Sequence, residues 1–151
     1  MEITSMPTLL AFRLRTKEVT ILVSPAKVTI TSSKRESPFE ITAPGEYEVL
    51  DVSVFAYPHG TSLTFHLVAD GLSLVYAGGE SGKLPEEVFD QFDEVAVLFA
   101  PTAESASVSQ VEPRYLVLTQ PDSSLVAIDK LVVQAGKLPE EREVVMLDGR
   151  N

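Results

Sequence analysis

The side chains in this sequence that could carry chemistry are few. Its 151 residues include two histidines, His59 and His66, and no cysteine. Without cysteine there are no thiolate nucleophiles, no thiolate-held zinc and no disulfides. A zinc centre would need three or four His, Asp or Glu side chains converging on one point. His59 falls in Tyr57-Pro58-His59-Gly60, a turn-like stretch that predicts a solvated loop position. His66 alternates with Phe65 and Leu67 in a β-rich run, which predicts the opposite, outward face. The two therefore predict no shared centre.

A serine nucleophile needs a base and an orienting acid within hydrogen-bond reach. No Gly-x-Ser-x-Gly elbow occurs, and nothing in the sequence activates Ser24 or Ser81. The stretch Gly78-Gly79-Glu80-Ser81-Gly82 could offer backbone N–H groups to an anion. It lacks the full phosphate-loop pattern, and Lys83 alone does not supply it, so it reads as a turn. Glu46 and Glu48 share one face of a strand and read as solvated edge charges, not as a carboxylate pair flanking a cleft. Lys34-Arg35 is too small a basic cluster to hold nucleic acid.

The balance of charge agrees. Twelve basic residues face 22 acidic ones, for a net charge of −10, which argues against a nucleic-acid partner. Hydrophobic residues make up 44% of the chain, enough for a packed core in one domain spanning 1–151. No apolar run approaches the ~18 residues of a membrane span, and Met1-Glu2-Ile3-Thr4 does not look like a secretory leader. A cytoplasmic protein with no membrane partner is expected.

The elements that must position any site are mostly strands. Leu9–Leu14 and Val19–Val23 flank the charged Arg15-Thr16-Lys17-Glu18 as a hairpin. Lys27-Val28-Thr29-Ile30-Thr31 alternates at period two, and the polar residues 32–38 form a loop. Phe39–Ile41, Tyr47–Val49, Val52–Tyr57, Ser62–Val68 and Leu72–Ala77 are further strands, with Asp70-Gly71 as the sharpest hairpin turn. From Leu84 helical and buried strand patterns alternate. Pro85-Glu86-Glu87 opens a helix with Val88, Phe89 and Phe92 on its apolar face. Glu94–Phe99 and Tyr115–Leu118 are continuous apolar strands, with Ser105–Glu112 a short helix between them. Ser123 or Ser124 caps a helix running to Gln134, and Glu143–Leu147 is a final strand. The chain reads as an antiparallel first part followed by a helix–strand second part.

Several of these stretches, in their order, resemble the small metallo-β-lactamase-fold hydrolases of bacteria and archaea. Thr20-Ile21-Leu22-Val23-Ser24-Pro25 resembles the family's strand ending in Asp-Pro. Pro38-Phe39-Glu40-Ile41-Thr42-Ala43-Pro44-Gly45-Glu46-Tyr47-Glu48-Val49 resembles its Pro-Gly-Glu-Tyr-Glu strand pair, and Gly71–Gly79 its strand to Gly-Asp. Val111-Glu112-Pro113-Arg114 with Tyr115–Leu118 resembles the last core strand. Where the family carries metal ligands this sequence has Leu9, Ser24, Gly79 and Gln120, and the metal loop is replaced by a shortened stretch around 31–37.

The resemblance implies an α+β fold, an αββα-type β-sandwich with flanking helices. It also implies a non-catalytic binding or assembly module that needs no cofactor. One alternative is a hydrolase with a rebuilt site, in a residual pocket of Ser24, His59, Gly79, Ser81 and Gln120. Another is an accessory subunit of an active relative. The partner would be an unidentified protein or small molecule, or a second copy. A homodimer is expected through apolar surface at Val28, Ile30, Phe39 and Ile41, left bare by the missing loop and covering helix.

Overall fold

Period-two alternation in the first forty residues folds into a run of antiparallel hairpins. The computed structural model describes residues 1–7, 10–89 and 94–148. Strands β1 (Glu2–Ser5), β2 (Phe12–Arg15), β3 (Thr20–Val23), β4 (Val28–Thr31) and β5 (Phe39–Ile41) pair in chain order. The short β12 (Leu131–Val132) joins the free side of β1, completing a six-stranded antiparallel sheet. The stretch 32–38 simply closes the β4–β5 hairpin, in which Ile30 pairs with Phe39.

The second sheet has seven strands. β6 (Gly45–Val49), β7 (Val52–His59), β8 (Ser62–Ala69) and β9 (Leu72–Tyr76) are joined by tight turns and run antiparallel. Asp70 and Gly71 both take positive φ, 55° and 70°, the form that matches strand twist in a two-residue turn. Leu50 and Asp51 adopt the same form at 52° and 64° without a glycine to mark it. Beyond β9 the sheet continues in parallel through β10 (Val97–Ala100), β11 (Tyr115–Leu118) and β13 (Glu143–Val145). Parallel neighbours need crossovers, and α1 (Glu86–Phe89) and α2 (Ala106–Val111) lie in the first two of these.

The sheets face each other across one core. Ile3, Phe12, Leu14, Ile21, Val28 and Ile30 from the first sheet meet Val54, Phe65, Leu67, Leu74, Tyr76 and Phe99 from the second. A separate apolar cluster lies on the far face of the second sheet, where Val88 of α1 and Val108 of α2 cover Val75, Leu98 and Leu116. The central strands β9 to β11 of the second sheet are thus buried on both faces. The first sheet is not: its far face carries half-buried Thr4, Arg13, Thr20, Leu22, Thr29 and Thr31, with the ion pairs Arg15–Glu2, Lys130–Glu2 and Lys27–Glu40. Among the described residues both helices lie against the second sheet, so the expected αββα layering is met on one side only.

Two further expectations are corrected. Val28, Ile30 and Ile41 are at most 1% exposed, and Phe39 is half-buried with the Arg35 guanidinium 5.3 Å from its ring centre. No bare apolar face forms there, because alternation turns these residues into the core and leaves Thr29, Thr31 and Glu40 outside. Residues 123–134 form no helix. The Asp122 carboxylate accepts bonds from the N–H and hydroxyl of Ser124, a local turn that competes with a cap. Ile128 then bridges Leu147, and Leu131 and Val133 bury themselves at alternate positions beside β1. Phe92, placed by its sequence on a helix, lies outside the described residues.

The facing of β4 is testable by truncation. Ile30→Ala should cost about 2–5 kcal/mol in denaturant unfolding, as buried aliphatic truncations do. Thr29→Ala, one residue away on the open face, should stay within about 1 kcal/mol of the parent. Equal costs would mean that the strand is turned differently.

Candidate functional site

Strand ends from both sheets meet at one rim of the sandwich. Leu63 N–H, at the start of β8, donates to the Pro25 carbonyl after β3 at 2.8 Å and ties the sheets together. Ala77 N–H donates to Phe99 O, Thr119 N–H to Ala100 O and Gln120 N–H to Pro101 O, which extends the parallel ladders past the strands. The Thr119 hydroxyl donates to the Gly78 carbonyl at 3.0 Å in a buried setting. Ser24, His59, Gly79 and Gln120 all belong to these strand ends or turns, so the fold brings their backbones to one region.

Their side chains do not build a site there. A Cβ on Gly79 would lie 2.6 Å from Ser62 Oγ and 2.9 Å from Pro25 Cβ, and one on Gly78 would lie 2.6 Å from Tyr76 Oη. The two glycines are clamped by their neighbours. The Ser24 hydroxyl donates to the Lys27 carbonyl at 3.3 Å. Gln120 and Ser81 are exposed, and the Ser81 carbonyl accepts from Ala106 N–H at the start of α2. Leu9 lies outside the described residues. Glu46 and Glu48 sit exposed on the edge strand β6, and Lys34 pairs with Glu18 at 2.8 Å.

The histidines depart from expectation. His59 is not a solvated loop residue. It ends β7, is 9% exposed, and shares a 2.7 Å hydrogen bond between Nδ1 and Thr64 Oγ1. Strand pairing runs through Pro58 to His59 because β7 has no partner beyond Ala56 on its β6 side, so the missing proline N–H costs nothing there. His66 is buried too, at 1% exposure. Its ring stacks on Phe55 at 5.4 Å, and Nε2 shares a 2.7 Å bond with Ser73 Oγ. Burial holds its pKa down at about 4, against an ordinary 6.5.

Sequence reasoning passed over Glu80 and Tyr76. The Glu80 carboxylate accepts from Thr61 N–H at 3.0 Å and packs where a Cβ on Gly60 would stand, fixing the β7–β8 turn in which Gly60 has φ 62°. Tyr76 packs its ring on Phe12 and Phe99 and donates its hydroxyl to the Leu10 carbonyl. The same burial raises its pKa, so it remains a donor. Among the described residues no group of three or more His, Asp or Glu gathers where it could hold a metal ion.

The two-sheet arrangement is shared with a solved structure. A Thermotoga maritima protein described as a "putative zn-dependent hydrolase of the metallo-beta-lactamase superfamily" superimposes with a TM-score of 0.72 at 16% sequence identity, covering 97% of this chain and 98% of that one. This chain has the metallo-β-lactamase fold. No protein-family model and no curated protein matches its sequence. Near-complete coverage both ways makes the two chains close in length, so the compact form of the metallo-β-lactamase fold is shared by both.

Two measurements probe this rim and its neighbourhood. Gly79→Asp forces a Cβ into Ser62 and Pro25 and should cost about 1–3 kcal/mol, whereas Gly82→Ala, with nothing within 4 Å, should be close to neutral. Equal stabilities would show an open rim. His66 gives a pH signature. Between pH 6.5 and about 4 the unfolded chain takes up a proton that the native ring refuses, so stability should fall with acid by about 3 kcal/mol across that window. His66→Gln should flatten that part of the profile. An unchanged slope would place the acid sensitivity elsewhere.

Proposed function

We propose that this protein is a non-catalytic metallo-β-lactamase-fold module that acts by binding or assembly. The carrying observation is the clamped Gly78-Gly79 pair, at the end of β9, where the family resemblance places a metal-bridging aspartate. Ser24 and Gln120, matched to two further ligand positions, are neutral side chains. Three uncharged residues in place of anionic or imidazole ligands remove the need for a metal counter-charge, and an apo rim of this composition is stable by itself. Glu80, the carboxylate next to Gly79, is committed to the Thr61 turn. The same reading takes the protein to work in the cytoplasm. Among the described residues no helix is long and apolar enough to cross a membrane.

The hydrolase described for the Thermotoga maritima structure would instead need a rebuilt centre in this chain. Zinc, nickel and iron content of protein purified without a metal-affinity tag decides between them, together with melting curves in the presence and absence of EDTA. We expect substoichiometric metal and a midpoint indifferent to the chelator, since a ligand bound only to the native state would raise that midpoint. A stoichiometric metal, or a midpoint that drops with EDTA and recovers with zinc, would overturn the proposal.

A further inference from the structure

We propose that the free edge of β6 takes up an extended basic segment of another protein as an added strand, with lysine or arginine side chains opposite Glu46 and Glu48. This names a partner class for the binding role proposed above and rests on that reading for its purpose alone. Its chemistry comes from the sheet edge.

The two sheets end in four strands, β12 and β5 in the first and β13 and β6 in the second. At five residues β6 is the longest of them. Its hairpin with β7 fixes which backbone groups are free. Leu50 and Asp51 make a two-residue turn with both φ positive, so the flanking Val49 and Val52 exchange both of their backbone bonds. Bonded and non-bonded pairs then alternate along the ladder. Glu48 opposite Ser53 and Glu46 opposite Phe55 turn their N–H and C=O groups away from β7. Such unpaired groups are a template for a further strand.

The same two residues carry the charge. Both glutamates are exposed, and among the described residues no lysine or arginine pairs with either. Residues 45–76, which build β6 to β9, hold four acidic side chains and no lysine or arginine, so these strands supply no cation of their own. Glu87 of α1 adds a third carboxylate nearby. The Tyr57 pKa is raised first by burial and then by the charges of Glu46 and Glu87. On the opposite face of β6, half-buried Tyr47 packs on Phe39 with ring centres 6.4 Å apart and donates its hydroxyl to the Ala43 carbonyl at 2.9 Å. The edge is therefore ordered before a partner arrives, and docking orders only the partner.

Charge selects the occupant. A second β6 lying antiparallel would set glutamate against glutamate, which disfavours that pairing. A strand with basic residues opposite Glu46 and Glu48, and an apolar residue between them beside Tyr47, satisfies the free backbone groups, both carboxylates and the aromatic edge together. Within this chain Arg13-Leu14-Arg15 has that alternation, but it belongs to β2, which β1 and β3 already pair on both sides. The segment must come from another protein.

Fluorescence anisotropy with the full chain and a short labelled peptide of alternating lysine and valine tests this. Binding should saturate and should weaken as salt is added. Glu46→Gln together with Glu48→Gln should weaken it by about tenfold. Glu140→Gln with Glu141→Gln, the same loss of charge at exposed positions elsewhere, should leave it unchanged. N-methylation of the peptide separates strand addition from plain attraction, because an added strand bonds to β6 through every second residue. Methylating the lysine N–H groups should abolish binding of an antiparallel strand, and methylating the valine N–H groups that of a parallel one. Equal tolerance of the two methylated peptides would overturn the proposal. So would equal losses from the two glutamate pairs, or no binding at millimolar peptide. None of these results touches metal content or the response to EDTA, so the two proposals fail separately.

Discussion

Tyr76 sits where the two sheets and the strand-end rim meet, and its burial constrains all three. Its ring packs on Phe99 from the neighbouring strand and on Phe12 from the opposite sheet, with centroids 5.6 and 6.4 Å away. Such aromatic contacts join the sheets by area and by edge-to-face geometry. A buried phenol left without a partner would forfeit about 1–3 kcal/mol, and this one takes the Leu10 carbonyl. That bond ties Leu10, just before β2, to the end of β9. On the other side the hydroxyl occupies the space a side chain at Gly78 would need. The glycines at the end of β9 thus follow from packing without any appeal to a ligand.

The rim is held together by close, neutral contacts. A metal centre concentrates anionic and imidazole ligands in a cleft that is tolerable only while the cation is bound. Here the strand ends are joined by backbone bonds such as Leu63 to Pro25 and by the Thr119 hydroxyl on Gly78. Of the ionisable groups at these strand ends, Glu80 is bound into a turn and His59 shares a hydrogen bond with Thr64.

Much of the sandwich was legible because one-sided burial leaves a period-two imprint. Strands β2 to β4, the Asp70-Gly71 turn and the short helix α2 all lie where alternation and turn chemistry put them. The same imprint already turned Val28 and Ile30 inward and Thr29 and Thr31 outward. The expectation of an apolar scar set that pattern aside in favour of what a missing helix would uncover. Where both faces are covered, alternation loses its meaning. His66 follows Phe65 and precedes Leu67, yet all three are buried, because the His66 ring lies on its cross-strand neighbour Phe55 and is bonded to Ser73 on β9. The Leu50-Asp51 turn carried no glycine signal. The helix expected over 123–134 gave way to a carboxylate turn followed by tertiary pairing of Leu131 with Ile3. Of the candidate site, the family resemblance pointed to Ser24, Gly79 and Gln120, whose backbones the fold brings to one rim. It could not show that the space beside Gly79 is taken by Ser62 and Pro25, residues distant from it in the chain.

The polarity of the first sheet's open face also bears on how such a small sandwich stays discrete. A sheet face without a helical layer normally invites non-specific association unless it is polar or charged. Threonines from β1, β3 and β4 meet that requirement while retaining β-propensity, and the Glu2, Arg15 and Lys130 cluster adds charge at the β12 edge. The protection stops at Leu22. There the ladder Thr4–Arg13–Leu22–Thr29–Glu40 crosses β1 to β5 with one apolar member. A face that is polar at every neighbouring position and apolar at one leaves too little contiguous apolar area to drive non-specific association.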